Sequence, residues 1–220
     1  TATGCKKTNQ VTITVQPEPV ITILGAPQFN VCETTTQIQL QASITNHTTS
    51  SILWTKVVGS GTFDFTNIEN PKYTPSLADI SFGSVRLKLT VTGIGACSQT
   101  YSEEVVVIID KKPIANAGLD VITCGTDPVQ INATGTLYAS NLVWTLPTGI
   151  TGTLDLSNPY IPVFTPSAND QNYVGPIVIA LTATSNTTCS SSSDTVSVLI
   201  TPAPKVDAGP PSVTICEGSN

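Results

Sequence analysis

Val85-Arg86-Leu87-Lys88-Leu89-Thr90-Val91-Thr92 alternates apolar and polar side chains along its whole length. Successive side chains of an extended chain point to opposite faces, so this pattern predicts a β-strand with one buried face. The same alternation occurs near the N-terminal end, at Val11, Ile13 and Val15. Turn-forming clusters of glycine, asparagine and proline separate such segments, and no segment sustains the period of a helix. The sequence therefore predicts an all-β fold.

The cysteines indicate that the chain is built from repeats. They form two interleaved series, each with a period of 92 residues: Cys5, Cys97 and Cys189, and Cys32, Cys124 and Cys216. Other elements recur with nearly the same spacing, since Tyr73-Thr74-Pro75-Ser76 returns as Phe164-Thr165-Pro166-Ser167. The period is longer than the roughly 20 to 50 residues of solenoid repeats. Each repeat is therefore predicted to be a small domain with its own core.

The repeat period divides the chain into four segments. Residues 1–16 are predicted to be the C-terminal end of a preceding repeat, 17–110 the first full repeat, 111–202 the second full repeat, and 203–220 the start of a following repeat. Prolines mark the boundaries, as in Thr201-Pro202-Ala203-Pro204, and favour short and rather stiff linkers. We expect the domains to follow one another head to tail as an extended rod.

The strand content of each repeat is typical of an immunoglobulin-like sandwich, which has about seven short strands in roughly 100 residues and a tryptophan on the third. Trp54 and Trp144 stand at that position, each flanked by apolar strand residues. We predict that both are structural core residues. The alternative is an exposed ring that stacks on a sugar.

Several short motifs resemble a known family. They are Ala115-Asn116-Ala117-Gly118, Val206-Asp207-Ala208-Gly209, Ile215-Cys216-Glu217-Gly218, the Tyr/Phe-Thr-Pro-Ser element, and a Leu-Thr-x-Thr strand ahead of a cysteine. Together they are similar to the repeats of the very large SprB-type surface adhesins of gliding Bacteroidota, which are related to the PKD and immunoglobulin-like superfamily. The first repeat departs from the pattern, with Leu24-Gly25-Ala26-Pro27 in place of Ala-Gly-x-Asp. The resemblance implies tandem PKD-like sandwiches, type 9 secretion, and adhesion to a surface along which the cell glides.

The cysteines are predicted to form disulfides rather than a zinc site. No two of them are closer than 27 residues, and the chain has one histidine, whereas zinc sites use closely spaced ligand pairs. Evenly spaced cysteines in a threonine-rich chain with 11% charged residues are typical of an oxidising, extracellular setting.

The pairing remains open between two arrangements. In an immunoglobulin-like order the first cysteine of a repeat lies near the A–B turn and the second in the F–G turn, roughly 20 Å apart across a seven-residue strand. Bonded cysteines need Cα atoms about 4.4 to 6.8 Å apart. We therefore favour an interdomain bond between Cys32 and Cys189 over the intradomain pairs Cys32 with Cys97 and Cys124 with Cys189. The same rule assigns the remaining cysteines to repeats outside this chain: Cys5 and Cys97 to earlier ones, and Cys124 and Cys216 to later ones.

Composition and motifs argue against several functions. A net charge of −6 with nine scattered basic residues disfavours nucleic acid, and no apolar run approaches the ~20 residues of a membrane span. Catalytic motifs such as G-x-S-x-G and H-E-x-x-H are absent from the sequence, so we expect no enzyme activity, no cofactor and no metal. Asp79 and Asp170 recur after the Thr-Pro-Ser element and are expected to cap a turn rather than bind calcium. Asp194-Thr195-Val196 resembles an O-glycosylation sequence of Bacteroidota, which makes Thr195 a glycosylation candidate.

The repeats and the family resemblance together imply a repeat segment of a large secreted cell-surface adhesin. The resemblance implies a non-catalytic stalk or adhesive filament for surface attachment and gliding motility, exported through the outer membrane. Its expected partners are external surface or glycan ligands and the neighbouring repeats of the same chain. The alternative is a set of spacer or carbohydrate-binding modules of a secreted polysaccharide-degrading enzyme. A third hypothesis is a subunit of a self-assembling surface layer.

Overall fold

The computed structural model describes residues 4, 6–204, 206, 207, 209, 212 and 214. The predictions for Cys5 and Cys216 lie outside these residues. The chain divides into two compact units. The first contains the residues up to Lys112 together with Thr187–Cys189, and the second contains Pro113–Asn186 and the residues from Ser190 onward.

Strands make up most of the first unit. In the described part of the chain they are β1 (Val20–Ile23), β2 (Gln28–Cys32), β3 (Ile38–Gln39), β4 (Ala42–Thr45), β5 (Leu53–Val58), β6 (Thr62–Phe63), β7 (Lys72–Thr74), β8 (Ser84–Thr92) and β9 (Thr100–Asp110). An α-helix, α1 (Leu77–Phe82), lies between β7 and β8, and short 3₁₀ turns lie at Thr49–Ser51 and Gly95–Cys97. One sheet has the order β2-β9-β8-β5, a second has the order β3-β7-β6, and β1 pairs with β4. In the larger sheet β2 runs parallel to β9, while β8 runs antiparallel to both β9 and β5.

The second unit repeats the four-stranded and the three-stranded sheet, and the β1–β4 pair has no counterpart among its described strands. Its described strands are β10 (Val121–Cys124), β11 (Val129–Gln130), β12 (Asn141–Thr145), β13 (Thr153–Asp155), β14 (Val163–Thr165), β15 (Ile177–Thr184) and β16 (Ser192–Thr201). They form sheets of order β10-β16-β15-β12 and β11-β14-β13. The first strand again runs parallel to the last, β10 beside β16. The 92-residue period of the sequence is therefore a period of these two sheets.

The alternating segment that predicts a strand forms β8. Val85, Leu87, Leu89 and Val91 are at most 1% exposed. Burying a side chain of this size stabilises a fold by about 1.5 to 3 kcal/mol. The intervening positions are intermediate or exposed, as a period of two requires. The predicted all-β class is confirmed.

Each unit has its own hydrophobic core between its four-stranded and its three-stranded sheet, and in the first unit the β1–β4 pair also contributes. In the first, Trp54 and Leu87 from the larger sheet meet Ile38 and Tyr73 from the smaller one. Its aromatic side chains pack as a series, with ring centroids 6.3 Å apart for Trp54 and Phe63 and 5.1 Å apart for Phe63 and Tyr73. The second core is made in the same way: Trp144, Leu181 and Val198 pack with Ile131 and Phe164.

The structure departs from the sequence-based expectations at two places. Val11, Ile13 and Val15 form no strand and are 82 to 86% exposed. The corresponding strands of the two units, β9 and β16, each pair with two neighbours: β8 and β2 in the first unit, and β15 and β10 in the second. Helix α1 was not predicted, because its six residues are too short to give a helical period.

Candidate functional site

A disulfide links Cys32 to Cys189, with Cα atoms 4.8 Å apart. Cys32 is the last residue of β2 and lies opposite Asp110, the last residue of β9. The N–H of Glu33 donates to the Asp110 carbonyl at 2.9 Å, which holds the turn after Cys32 against the end of the sheet. Both cysteines are at most 9% exposed. The bond ties Thr187–Cys189, a segment of the second predicted repeat, to the first unit.

Asp110 holds the same segment by polar contacts. Its carboxylate accepts hydrogen bonds from the hydroxyl and the N–H of Thr188, at 3.1 and 3.4 Å, and from the side-chain amide of Asn30 at 3.1 Å. The carbonyl oxygen of Asp110 lies 3.3 Å from the sulfur of Cys189. The two cysteines thus meet at the last residue of β9.

Glu33 fixes the chain that follows β9. Its carboxylate accepts a 2.9 Å hydrogen bond from the N–H of Lys112 and forms a 3.0 Å ion pair with the Lys111 ammonium. The Lys112 N–H first, and the Lys111 ammonium second, hold the pKa of Glu33 below its ordinary value. These contacts restrain residues 111 and 112 beside the turn after Cys32.

The intradomain alternatives, Cys32 with Cys97 and Cys124 with Cys189, are not formed. Cys97 ends the 3₁₀ turn Gly95–Cys97 between β8 and β9, whereas Cys32 lies beside the far end of β9. The eleven residues of β9 span about 33 Å at the usual rise of a strand. Cys97, which is partly buried, and Cys124, which is exposed, carry free thiols.

The recurring aspartates form a second kind of site, which is buried. Asp79 is 3% exposed and its two carboxylate oxygens accept hydrogen bonds from five donors. These are the N–H groups of Ser60, Gly61 and Ser76 and the hydroxyls of Ser60 and Tyr73, at 2.8 to 3.2 Å. Burial raises the pKa of Asp79, but the donors outweigh burial and hold the pKa at about 2. The same burial, together with the bond to Asp79, raises the pKa of Tyr73 well above its usual range.

Asp79 also begins helix α1. Ser76 and Asp79 form a reciprocal capping box, and Gly83 ends the helix in the left-handed region, with φ 85°. The Ser-x-x-Asp spacing is the one signal in the sequence that could have predicted this helix.

Asp170 is the counterpart of Asp79 in the second unit. It is 2% exposed and accepts hydrogen bonds of 2.8 Å from the N–H groups of Thr151 and Ser167. Burial raises the pKa of Asp170. The hydrogen-bond donors lower the pKa by more than burial raises it, so the pKa lies below its ordinary value. A carboxylate surrounded by N–H and O–H donors is poorly suited to a cation. Within the described ranges no group of three or more His, Cys, Asp or Glu side chains converges to hold a metal.

The remaining predicted site residues are the two tryptophans and Thr195. Trp54 and Trp144 are 1% and 7% exposed, so neither ring offers a face for a sugar. The indole N–H of Trp144 donates to the Pro159 carbonyl at 2.8 Å. Thr195 is exposed and lies within β16, opposite Ala180, so its hydroxyl is accessible.

None of the helices in the described residues is long and apolar enough to span a bilayer.

No protein-family model and no curated protein matches this chain. Solved structures, in contrast, do match this chain. The chain is similar to immunoglobulin domains 1–4 of sidekick-1, with a TM-score of 0.52 and 12% identity over 86% of this chain and 51% of that one. A structure of sidekick-1 domains 1–5 gives a TM-score of 0.51 and 13% identity over 84% of this chain and 40% of that one. The insect immune protein hemolin gives a TM-score of 0.48 and 12% identity over 85% of this chain and 48% of that one.

This chain spans about half the length of these structures or less. At such low identity the likeness to sidekick-1 shows the fold alone. That fold is the one built above from the strand order and the two cores: the chain is a tandem of immunoglobulin-like domains.

Proposed function

We propose that the chain is a repeat segment of a large secreted cell-surface adhesin, in which it serves as a non-catalytic, load-bearing stalk. The observation that carries the proposal is the disulfide between Cys32 and Cys189, because it joins one predicted repeat to the next and spans 157 residue positions. A pull on the two ends of the chain passes through this bond and bypasses the residues it encloses. Resistance to extension is the property that a long surface filament needs.

An extracellular location follows from the same chemistry. Disulfides persist in oxidising compartments and are rare where glutathione and thioredoxin keep thiols reduced. A threonine-rich chain in which 11% of the residues are charged fits that setting. Export through the outer membrane by the type 9 route, and a part in gliding motility, rest on the family resemblance of the motifs.

The buried carboxylates support a structural role. Every oxygen of Asp79 is occupied by donors, and its low pKa keeps it ionised at neutral pH, so it is unsuited to exchange protons with a substrate. Trp54 and Trp144 lie in the cores, which weighs against sugar stacking by these rings. Attachment would instead arise from many weak contacts along a repeated chain, which raise overall avidity.

Antibodies against the purified chain test this proposal on intact cells of the source organism. We expect them to label filaments on cells that have not been permeabilised, and to slow the movement of cells over a surface. Antibody first absorbed with the purified chain is the control. Labelling that appears only after lysis would contradict the surface location, and surface labelling without any effect on movement would contradict the part in gliding.

A further inference from the structure

The backbone around the free Cys124 matches the backbone around the bonded Cys32. Cys124 ends β10 opposite Thr201, the last residue of β16, as Cys32 ends β2 opposite Asp110, the last residue of β9. In both units the residue after the cysteine donates its N–H to the carbonyl of that opposite residue, at 2.9 Å in the first and 2.8 Å in the second. The third residue after the cysteine donates its N–H to the cysteine carbonyl, at 2.8 and 2.9 Å. The backbone therefore presents both sulfurs in the same way.

The free Cys97 matches the bonded Cys189. The Cys97 thiol donates to the carbonyl oxygen of Gln16 at 3.3 Å, and the Cys189 sulfur lies 3.3 Å from the carbonyl oxygen of Asp110. Asp110 ends the first predicted repeat, and Gln16 ends the segment predicted to close a preceding repeat. Each cysteine of this series thus lies against the end of the repeat before its own.

We propose that Cys97 and Cys124 each belong to a disulfide of one recurring type, and that the partner of each is a cysteine in another copy of this repeat. Cys124 bonds to the residue that corresponds to Cys97 in a following repeat, and Cys97 bonds to the residue that corresponds to Cys124 in a preceding one. The bonded pair Cys32 and Cys189 shows the product of this geometry in the same chain. The inference rests on the proposed function only because it requires further repeats, and ligand binding plays no part in it.

The bond forms by thiol–disulfide exchange with a disulfide oxidant. One thiolate attacks the oxidant and releases a thiolate, and the second cysteine then displaces the other half of the oxidant from the mixed disulfide. The two cysteine thiols lose two protons and two electrons in total, and the oxidant disulfide is reduced to two thiols.

Overlapping bonds would change the mechanics of an array. Cys97 and Cys124 are 27 residues apart, and so are Cys189 and Cys216. If every repeat is bonded in this way, only this short backbone segment separates one disulfide from the next along a pulled array.

A fused chain tests the inference. It consists of residues 1–202 of one copy followed directly by residues 17–220 of a second copy, which keeps the predicted repeats in phase. Serine replaces the cysteines that lack a partner in this fusion: Cys5 and Cys97 of the first copy, and Cys124 and Cys216 of the second. After oxidation with oxidised glutathione and isolation of the monomer, a non-reducing digest is analysed by mass spectrometry.

We expect a peptide that links Cys124 of the first copy to Cys97 of the second, beside the Cys32–Cys189 peptides of both copies. The Cys32–Cys189 peptides report that the units have folded and that oxidation is sufficient. If they form while Cys124 and Cys97 are recovered alkylated, the inference is overturned. The matched control is the fused chain with Cys124→Ser in the first copy, in which Cys97 of the second must remain a thiol.

A second measurement requires no fused chain. In the parent polypeptide isolated from cells with its thiols blocked, Cys124 is expected to be linked to a cysteine of another repeat. Recovery of Cys124 in the blocked, unlinked form would overturn the inference. Neither experiment measures attachment, so failure of the inference can be told apart from failure of the proposed adhesive function.

Discussion

Breaking the bond between Cys32 and Cys189 should sharply increase how far the chain can be stretched. The disulfide spans 157 of the 220 residue positions. A fully extended chain covers about 3.3 to 3.6 Å per residue. The oxidised chain, in which about 63 positions carry the pull, should therefore extend to about 210 to 230 Å. Releasing the enclosed residues should add about 520 to 570 Å.

Single-molecule stretching between handles at the two ends measures this difference directly. The comparison is between the oxidised chain, the same chain after reduction, and the double variant Cys32→Ser with Cys189→Ser. The variant should extend as far as the reduced chain under oxidising conditions. Cys97→Ser is the matched control, because Cys97 is a free cysteine that takes no part in the bond, and it should behave as the parent. Equal extension of the oxidised and reduced chains would refute the argument that the disulfide carries the load.

Further results are expected for Asp79, for the two tryptophans and for Thr195. Asp79→Asn should lower the free energy of unfolding by about 2 kcal/mol in chemical denaturation, while Asp155→Asn, at an exposed carboxylate, should change it little. Because folding lowers the pKa of Asp79 from 3.8 to about 2, its contribution is present above pH 4 and is lost as the pH falls towards 2, and Asp79→Asn should remove this part of the acid dependence. Trp54→Ala and Trp144→Ala should each cost about 3 to 5 kcal/mol of stability, and a loss of glycan binding without any loss of stability would contradict their place in the cores. Peptides of the native protein that contain Thr195 should carry an added hexose-sized mass. Recovery of these peptides only without the added mass would rule out Thr195 as a glycosylation site.

The parts of the fold that follow from local pattern were predictable from the sequence. Strand β8 was predictable because its side chains alternate between a buried and a partly exposed face. The presence of two similar units was predictable because the cysteines recur with a period of 92 residues. Val11, Ile13 and Val15 show the limit of this reasoning, since the same alternation forms no strand there. Alternation predicts which face of a strand is buried, but it does not specify the strand with which it pairs.

The candidate site was only partly predictable, because its contacts join distant residues. The cysteine spacing left two pairings open, and the opposition of Cys32 and Asp110 across parallel strands is what brings Cys32 beside Cys189. The recurrence of Asp79 indicated a turn cap. Its bonds to Ser60 and Gly61, which precede it by 19 and 18 residues, required the folded chain.

The bond between Cys32 and Cys189 also determines what a protease can do to this protein. The enclosed residues include the turns that connect β3 through β15, where an extracellular protease would most readily cut. A single cut at any of these turns opens the covalent ring but leaves the N-terminal and C-terminal parts joined through sulfur. A polypeptide of this design would remain tethered after a nick, and would be severed only by a second cut or by reduction of the disulfide.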